Sequence, residues 1–246
     1  MSEKFKKVNI IFLAAVITII IINVILLIAN RTINTNSDDV AEKASDTVRI
    51  FIDAGHGGID PGAVNKFGEN ESLINLEISK YLMSFLESTG YEVVMTRYDA
   101  NALYDEGANT TIREKKNEDL DKRINKINSS KADLVVSVHL NAFTQSQYYG
   151  AQSFYKNKCE KSKLAAEIIQ KNLKNILDKN NKRVPQSKKD VRVIDESSLP
   201  IVLIECGFVS NPEEGKLLST ANYQEKIAWA IYAGIIEYFE KISAAQ

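Results

Sequence analysis

From residue 48 to residue 242 the chain alternates short β-branched runs with longer stretches of helical period, and this alternation leaves few folds open to it. Strands are predicted over residues 48–53, 91–96, 133–139, 151–155, 190–194 and 200–205. Helices are predicted between them, over 71–89, 120–129, 161–178 and 222–242. Such a pattern implies an α/β fold: a single domain with a twisted, mostly parallel central sheet of about six strands flanked by helices. The helix from Glu71 is the clearest, with Ile74, Ile78, Leu82, Phe85 and Leu86 at helical spacing and Gly90 as its stop.

The first 30 residues are of another kind. Residues 8–30 carry no charge and are dominated by Ile, Leu, Val and Ala, long enough at about 1.5 Å per residue to span a hydrocarbon core of about 30 Å. Lys4, Lys6 and Lys7 precede them, so the positive-inside rule puts residues 1–7 in the cytoplasm and the domain outside. A cleaved signal peptide shares the basic flank, but its apolar region is usually shorter and ends in a small-residue cleavage site. A retained transmembrane signal-anchor is therefore expected, followed by a polar linker over 31–47 and the folded domain over 48–243.

Charge and cysteine usage exclude several classes. The net charge is −1, and the basic flank leaves the remainder more acidic still, so a nucleic-acid partner is not expected. Two cysteines, Cys159 and Cys206, are too few for a disulfide scaffold and lack CxxC spacing; Cys206 reads as a buried small hydrophobe.

The chain holds only two histidines, and each lies where an apolar strand runs into a loop: His56 in RIFIDAGHGG and His139 in DLVVSVHLNAF. In open parallel sheets the carboxyl ends of the strands form the ligand crevice, so both imidazoles reach one rim. A third strand, LPIVLIECGF, reaches Glu205, a carboxylate that must either face the crevice or meet a cation. The glycine-rich loop AGHGGIDPGA has neither GxGxxG nor GK[ST] spacing, so its glycines aim His56 rather than cradle a phosphate. Two imidazoles and one carboxylate make a zinc site with a fourth position open. Glu71, at the start of the helix after the loop, and its neighbour Glu69 both fit as the third ligand, with Glu77 as a further alternative; acids at a helix start also complement its dipole.

These segments resemble a known family. IDAGHGGIDPGA, GENESLINLEISKYL, TRYD, LDKRINKIN, DLVVSVHLNAF and IVLIECGFVSNPEE are similar to the successive motifs of the zinc-dependent N-acetylmuramoyl-L-alanine amidases of the amidase 3 type. The resemblance implies one Zn2+ per chain held by His56, Glu71 and His139, and Glu205 as the catalytic glutamate. It implies hydrolysis of the amide between N-acetylmuramic acid and L-alanine in peptidoglycan. Asp53 is expected to hold a ligand's free N–H, Asn141 to support the ligands or touch substrate, and Arg97 and Arg123 to be structural. Two departures from the family pattern stand out, Cys206 and the stretch KKDVRVIDESSLP.

A single anchored domain without wall-binding repeats most resembles the CwlD-type sporulation subgroup, which strips peptides from cortex muramic acid for muramic-δ-lactam formation and germination. General wall turnover, a catalytically silent peptidoglycan-binding role and a zinc carboxypeptidase are the other readings. The expected partners are peptidoglycan glycan strands with their stem peptides, the membrane through the anchor, and an activating protein that orders a loose metal site.

Overall fold

The computed structural model describes residues 47–105, 107 and 111–245. The expected anchor over 8–30 and the linker up to residue 46 lie outside them; among the described residues no helix is long and apolar enough to cross a membrane.

Six strands form one sheet: β1 (Arg49–Ala54), β2 (Glu92–Met95), β3 (Leu134–Asn141), β4 (Gln152–Lys156), β5 (Gln186–Lys188) and β6 (Ile201–Phe208), in the order β2-β1-β3-β6-β4-β5. The strands β2, β1, β3 and β6 run parallel, β4 is antiparallel to β6, and β5 runs parallel to β4. The central strands are buried on both faces, which is why they read as continuous apolar runs.

One face is covered by helices α1 (Glu71–Ser88), α3 (Glu160–Ile176) and α6 (Ala221–Ser243), which enclose Ile50, Ile52, Val136, Val138, Val202 and Ile204. Each such side chain contributes about 1.5–3 kcal/mol when removed from water. The other face packs Phe51, Val135, Ile201, Leu203 and Phe154 against Ile127 of helix α2 (Ile112–Ser129) and against Val193 and Ile194 of the short helix α4 (Arg192–Glu196). Helix α5 (Pro212–Leu218) follows β6, capped by Asn211, whose side chain accepts from the amides of Glu213 and Glu214 at 3.0 Å each.

Two expectations are corrected. The fifth strand is Gln186–Lys188, and the segment 190–194, read as a strand, ends in helix α4 instead. Val191 and Val193 are spaced as on a strand, but Val191 and Ile194 are spaced for one helical turn; the turn is closed by Ile194 N donating to Val191 O at 2.9 Å and by the Arg192–Glu196 ion pair at 2.7 Å. Helix α2 begins at Ile112, eight residues before the predicted start. After the exposed Ile112 its first two turns are polar and show no stripe, but Thr111 and Glu114 form a capping box there.

Candidate metal centre

The two histidines and Glu71 meet at the carboxyl end of the sheet. His56 sits just past β1 in the left-handed region, φ +61°, a conformation that costs a non-glycine residue and persists only where the surroundings impose it. Arg123 imposes it: its guanidinium donates to the carbonyls of Ala54, at 2.7 Å, and of His56. From this position Nδ1 of His56 donates to Asp60 Oδ2 at 2.8 Å, while Nε2 faces Glu71 Oε1 at 3.2 Å.

His139 reaches the same carboxylate oxygen from β3, with Nδ1 3.2 Å from Glu71 Oε1. The two imidazole rings stand 4.9 Å apart at 77°. Gly55 makes room for this approach, since a Cβ there would lie 2.4 Å from His139 Cε1. Gly62, at φ +68°, does the same for Glu71, whose Oε2 would be 2.6 Å from an added Cβ.

Glu71 is buried at the first position of α1 and fully engaged. Its Oε2 accepts from Ala63 N at 2.9 Å, and its Oε1 accepts from Leu140 N at 2.9 Å and from Asn75 Nδ2 at 3.3 Å. Burial pushes its carboxyl up, but the hydrogen bonds from His139 and His56 outweigh burial and hold it well below the usual carboxylate range. For His56 burial pulls the pKa down, while Asp60 and Glu71 together raise it to about 9. The bond from His56 also holds Asp60 far below its ordinary value.

The three candidate glutamates differ in what they touch. Glu69 turns to Asn65 and Ser219, and Glu77 lies exposed against Lys80 at 3.0 Å; Glu71 alone of the three meets the histidines. His56, Glu71 and His139 each offer one donor atom, all within 4.8 Å of one another. Zinc bonds of about 2.0–2.1 Å set tetrahedrally give donor separations of about 3.3 Å. The two 3.2 Å separations through Glu71 Oε1 match that edge, so the donor set fits a metal ion of this kind.

Asp53 does not hold a histidine, contrary to expectation. It points into the sheet face below the site, where its oxygens accept from Arg123 Nη1 at 2.8 Å and Ser137 Oγ at 2.7 Å. It therefore acts through Arg123 on the His56 loop, and the carboxylate on the imidazole is Asp60. The signal for Asp60 was present in the sequence: an acid four residues after His56 within the same glycine-rich loop. Arg97 is structural as expected, donating to the carbonyls of Ala54, Gly55, Ser72 and Asp99 at 2.7–3.1 Å.

Glu205 stands in register with His139 on the neighbouring strand, and with Gln152 on its other side. Its Oε1 accepts from Lys188 Nζ at 2.8 Å, and its Oε2 is buried with no hydrogen-bond partner. The backbone of Asn141 accepts from Val209 N at 2.9 Å, and the residue lines a groove of about 510 Å³ with Phe143, Phe154, Arg183 and Lys188. Cys206 is fully buried, as its sequence context implied, and burial pushes its thiol up.

The family model for N-acetylmuramoyl-L-alanine amidase, Amidase_3, matches residues 50–237. The chain belongs to this amidase family. A germination-specific N-acetylmuramoyl-L-alanine amidase of Bacillus subtilis (strain 168) is 39% identical over 191 residues, 77% of this chain and 79% of that protein. Among solved amidases, CwlD from Clostridioides difficile, in complex with the GerS lipoprotein, superposes with a TM-score of 0.77 at 49% identity, covering 79% of this chain and 99% of that one. An N-acetylmuramoyl-L-alanine amidase from Clostridium difficile 630 gives 0.68 at 30% identity, over 80% and 98% of the two chains. The enzyme is thus an N-acetylmuramoyl-L-alanine amidase, acting on the muramic acid–alanine amide of peptidoglycan.

Proposed function

We propose that this amidase removes stem peptides from the muramic acid of spore cortex peptidoglycan, with zinc held by His56, Glu71 and His139 and with Glu205 carrying protons. What supports the metal is the convergence of two imidazole nitrogens on one carboxylate oxygen at 3.2 Å each. Zinc in that position supplies Lewis-acid polarisation of the amide carbonyl and activates water near neutral pH.

The protein's own groups account for the remaining steps. Asp60 fixes the His56 ring through Nδ1, so that Nε2 presents its lone pair inward. Glu205, one strand from His139, takes the proton of the attacking water on Oε2 and delivers it to the departing alanine nitrogen. A C–O bond forms as the C–N bond breaks, and the water's proton ends on the new amine. No covalent enzyme intermediate is required.

The cortex assignment draws on the germination-specific relative in B. subtilis and on the CwlD amidase. The lipoprotein complex of the latter supports an activating protein partner for this enzyme also. The uncharged segment 8–30 and the lysines before it support a signal-anchor that leaves the domain on the wall side.

Incubation of the purified enzyme with cortex fragments, followed by mass spectrometry, tests the reading. The expected products are glycans with free lactyl carboxylates and peptides with amino-terminal alanine, formed only with zinc and not after chelation. Released D-alanine would indicate a carboxypeptidase instead, and turnover indifferent to chelation would remove the metal. Equal rates on vegetative wall would replace the cortex role with general turnover.

A further inference from the structure

The segment KKDVRVIDESSLP, one of the two departures from the family pattern, contains Lys188, the last residue of the edge strand β5. Lys188 lies two strands from β6, in register with Lys156 of β4. Its side chain runs back across the sheet face, passes over Phe154 with Nζ 4.4 Å from the ring centroid, and ends 2.8 Å from Glu205 Oε1.

The other polar groups around Glu205 are committed elsewhere. Gln152, directly opposite, donates to Val184 O at 2.8 Å and accepts from Arg183 Nη1 at 3.0 Å. Arg183 also donates to Tyr149 O at 2.8 Å and stacks over Phe208. His139, on the other side, faces Glu71, and Lys156 donates to Ser197 O. Among the described residues, Lys188 is the polar partner that Glu205's carboxylate has.

The consequence for a proton carrier is geometric. Rotation of a carboxylate about its last torsion is soft, so an unheld Glu205 would present either oxygen in many orientations. A lysine by itself is a flexible stem, but here the aromatic ring of Phe154 supports the ammonium from below. We infer that Lys188 is a positioning residue for hydrolysis: by holding Oε1 of Glu205 it leaves Oε2, buried and without a partner, as the oxygen that takes the water's proton. This rests on the assignment of Glu205 as proton carrier given above.

A double-mutant cycle on the full, zinc-loaded chain tests both statements separately, using a soluble muramoyl-peptide substrate. Lys188→Met keeps the stem over Phe154 and the strand pairing, and removes the donor. It should lower kcat about 10- to 100-fold, the scale of a displaced catalytic group, with KM and zinc content unchanged. In a Glu205→Gln background the same substitution should change kcat less than about twofold, because its effect passes through the carboxylate. Lys188→Arg, which retains charge and donor, should stay within about threefold of the parent.

An equal loss in both backgrounds, a loss in KM or zinc content alone, or an Arg variant as impaired as the Met variant would overturn the role of Lys188. Wild-type kcat in Lys188→Met with Glu205→Gln strongly impaired would overturn Lys188 while sparing Glu205. Wild-type kcat in Glu205→Gln would instead remove the proton carrier itself.

Discussion

Asp60 stands 2.8 Å from Nδ1 of His56, the ring nitrogen opposite the one that faces Glu71. Its other oxygen accepts from Lys116 Nζ at 2.8 Å, so the carboxylate is itself held from two sides. Carboxylates in this position fix the tautomer and orientation of a ligating imidazole and raise its basicity; their loss typically weakens metal binding about 10- to 100-fold. Asp60→Asn should therefore fold normally and bind zinc about 10- to 100-fold more weakly, measured by competition with a chromogenic chelator. Affinity equal to the parent's would show that the bond is incidental.

Gly55 and His139 constrain each other across β1 and β3. A methyl at Gly55 would lie 2.4–2.7 Å from three atoms of the His139 ring, closer than any real contact. Because the ring is only part-buried, it can swing away at small cost to the fold. Gly55→Ala is thus expected to lose zinc, by elemental analysis, with a Tm decrease of only a few degrees. A variant that kept stoichiometric zinc would show that His139 reaches the metal from another rotamer.

What the sequence made legible follows from where each residue sits. His56, His139 and Glu205 end apolar runs, and a polar group closing a buried strand is conspicuous in any sequence. Spacing leaves Glu71 ambiguous with Glu69; the motif resemblance points to Glu71, and the contacts put Glu71 against both histidines and Glu69 against Asn65 and Ser219. Asp60 shows in the sequence only as an acid four residues after His56; that the two meet depends on the left-handed turn at His56, which no side-chain pattern announces. Segment 190–194 reads both ways because Val191 and Val193 are spaced two apart, as on a strand, while Val191 and Ile194 are spaced three apart, as on a helical turn; Val193 and Ile194 pack under the sheet from helix α4.

Arg123 is a buried guanidinium that ties Asp53 at 2.8 Å and Asp119 at 2.6 Å to the carbonyls of the His56 loop. Removing one partner of such a buried group leaves charges uncompensated, at a cost of about 3–5 kcal/mol. In a domain of this size each kcal/mol shifts Tm by about 2–4 °C, so Arg123→Met should melt roughly 10 °C below the parent. The loop should loosen with it, and zinc affinity should fall alongside stability. A Tm within about 2 °C of the parent would mean that the pair contributes nothing net.

The proton on His56 couples stability to metal in opposite directions. Burial lowers the pKa of His56, yet the carboxylates of Asp60 and Glu71 raise it to about 9, above the ordinary value of 6.5. A group whose pKa rises on folding stabilises the fold fully below its unfolded value and loses that contribution as pH climbs through the folded one. Chelator-treated protein should accordingly lose stability between about pH 7 and pH 9.5 relative to a His56→Gln variant, which lacks the group. Zinc requires the neutral ring, so its binding near pH 7 should expel a proton from the site and strengthen over the same interval. Thermal melts with and without chelator, together with calorimetric titration in buffers of differing ionisation enthalpy, measure both effects. Proton release that did not differ between the parent and His56→Gln would mean that another group carries the coupling.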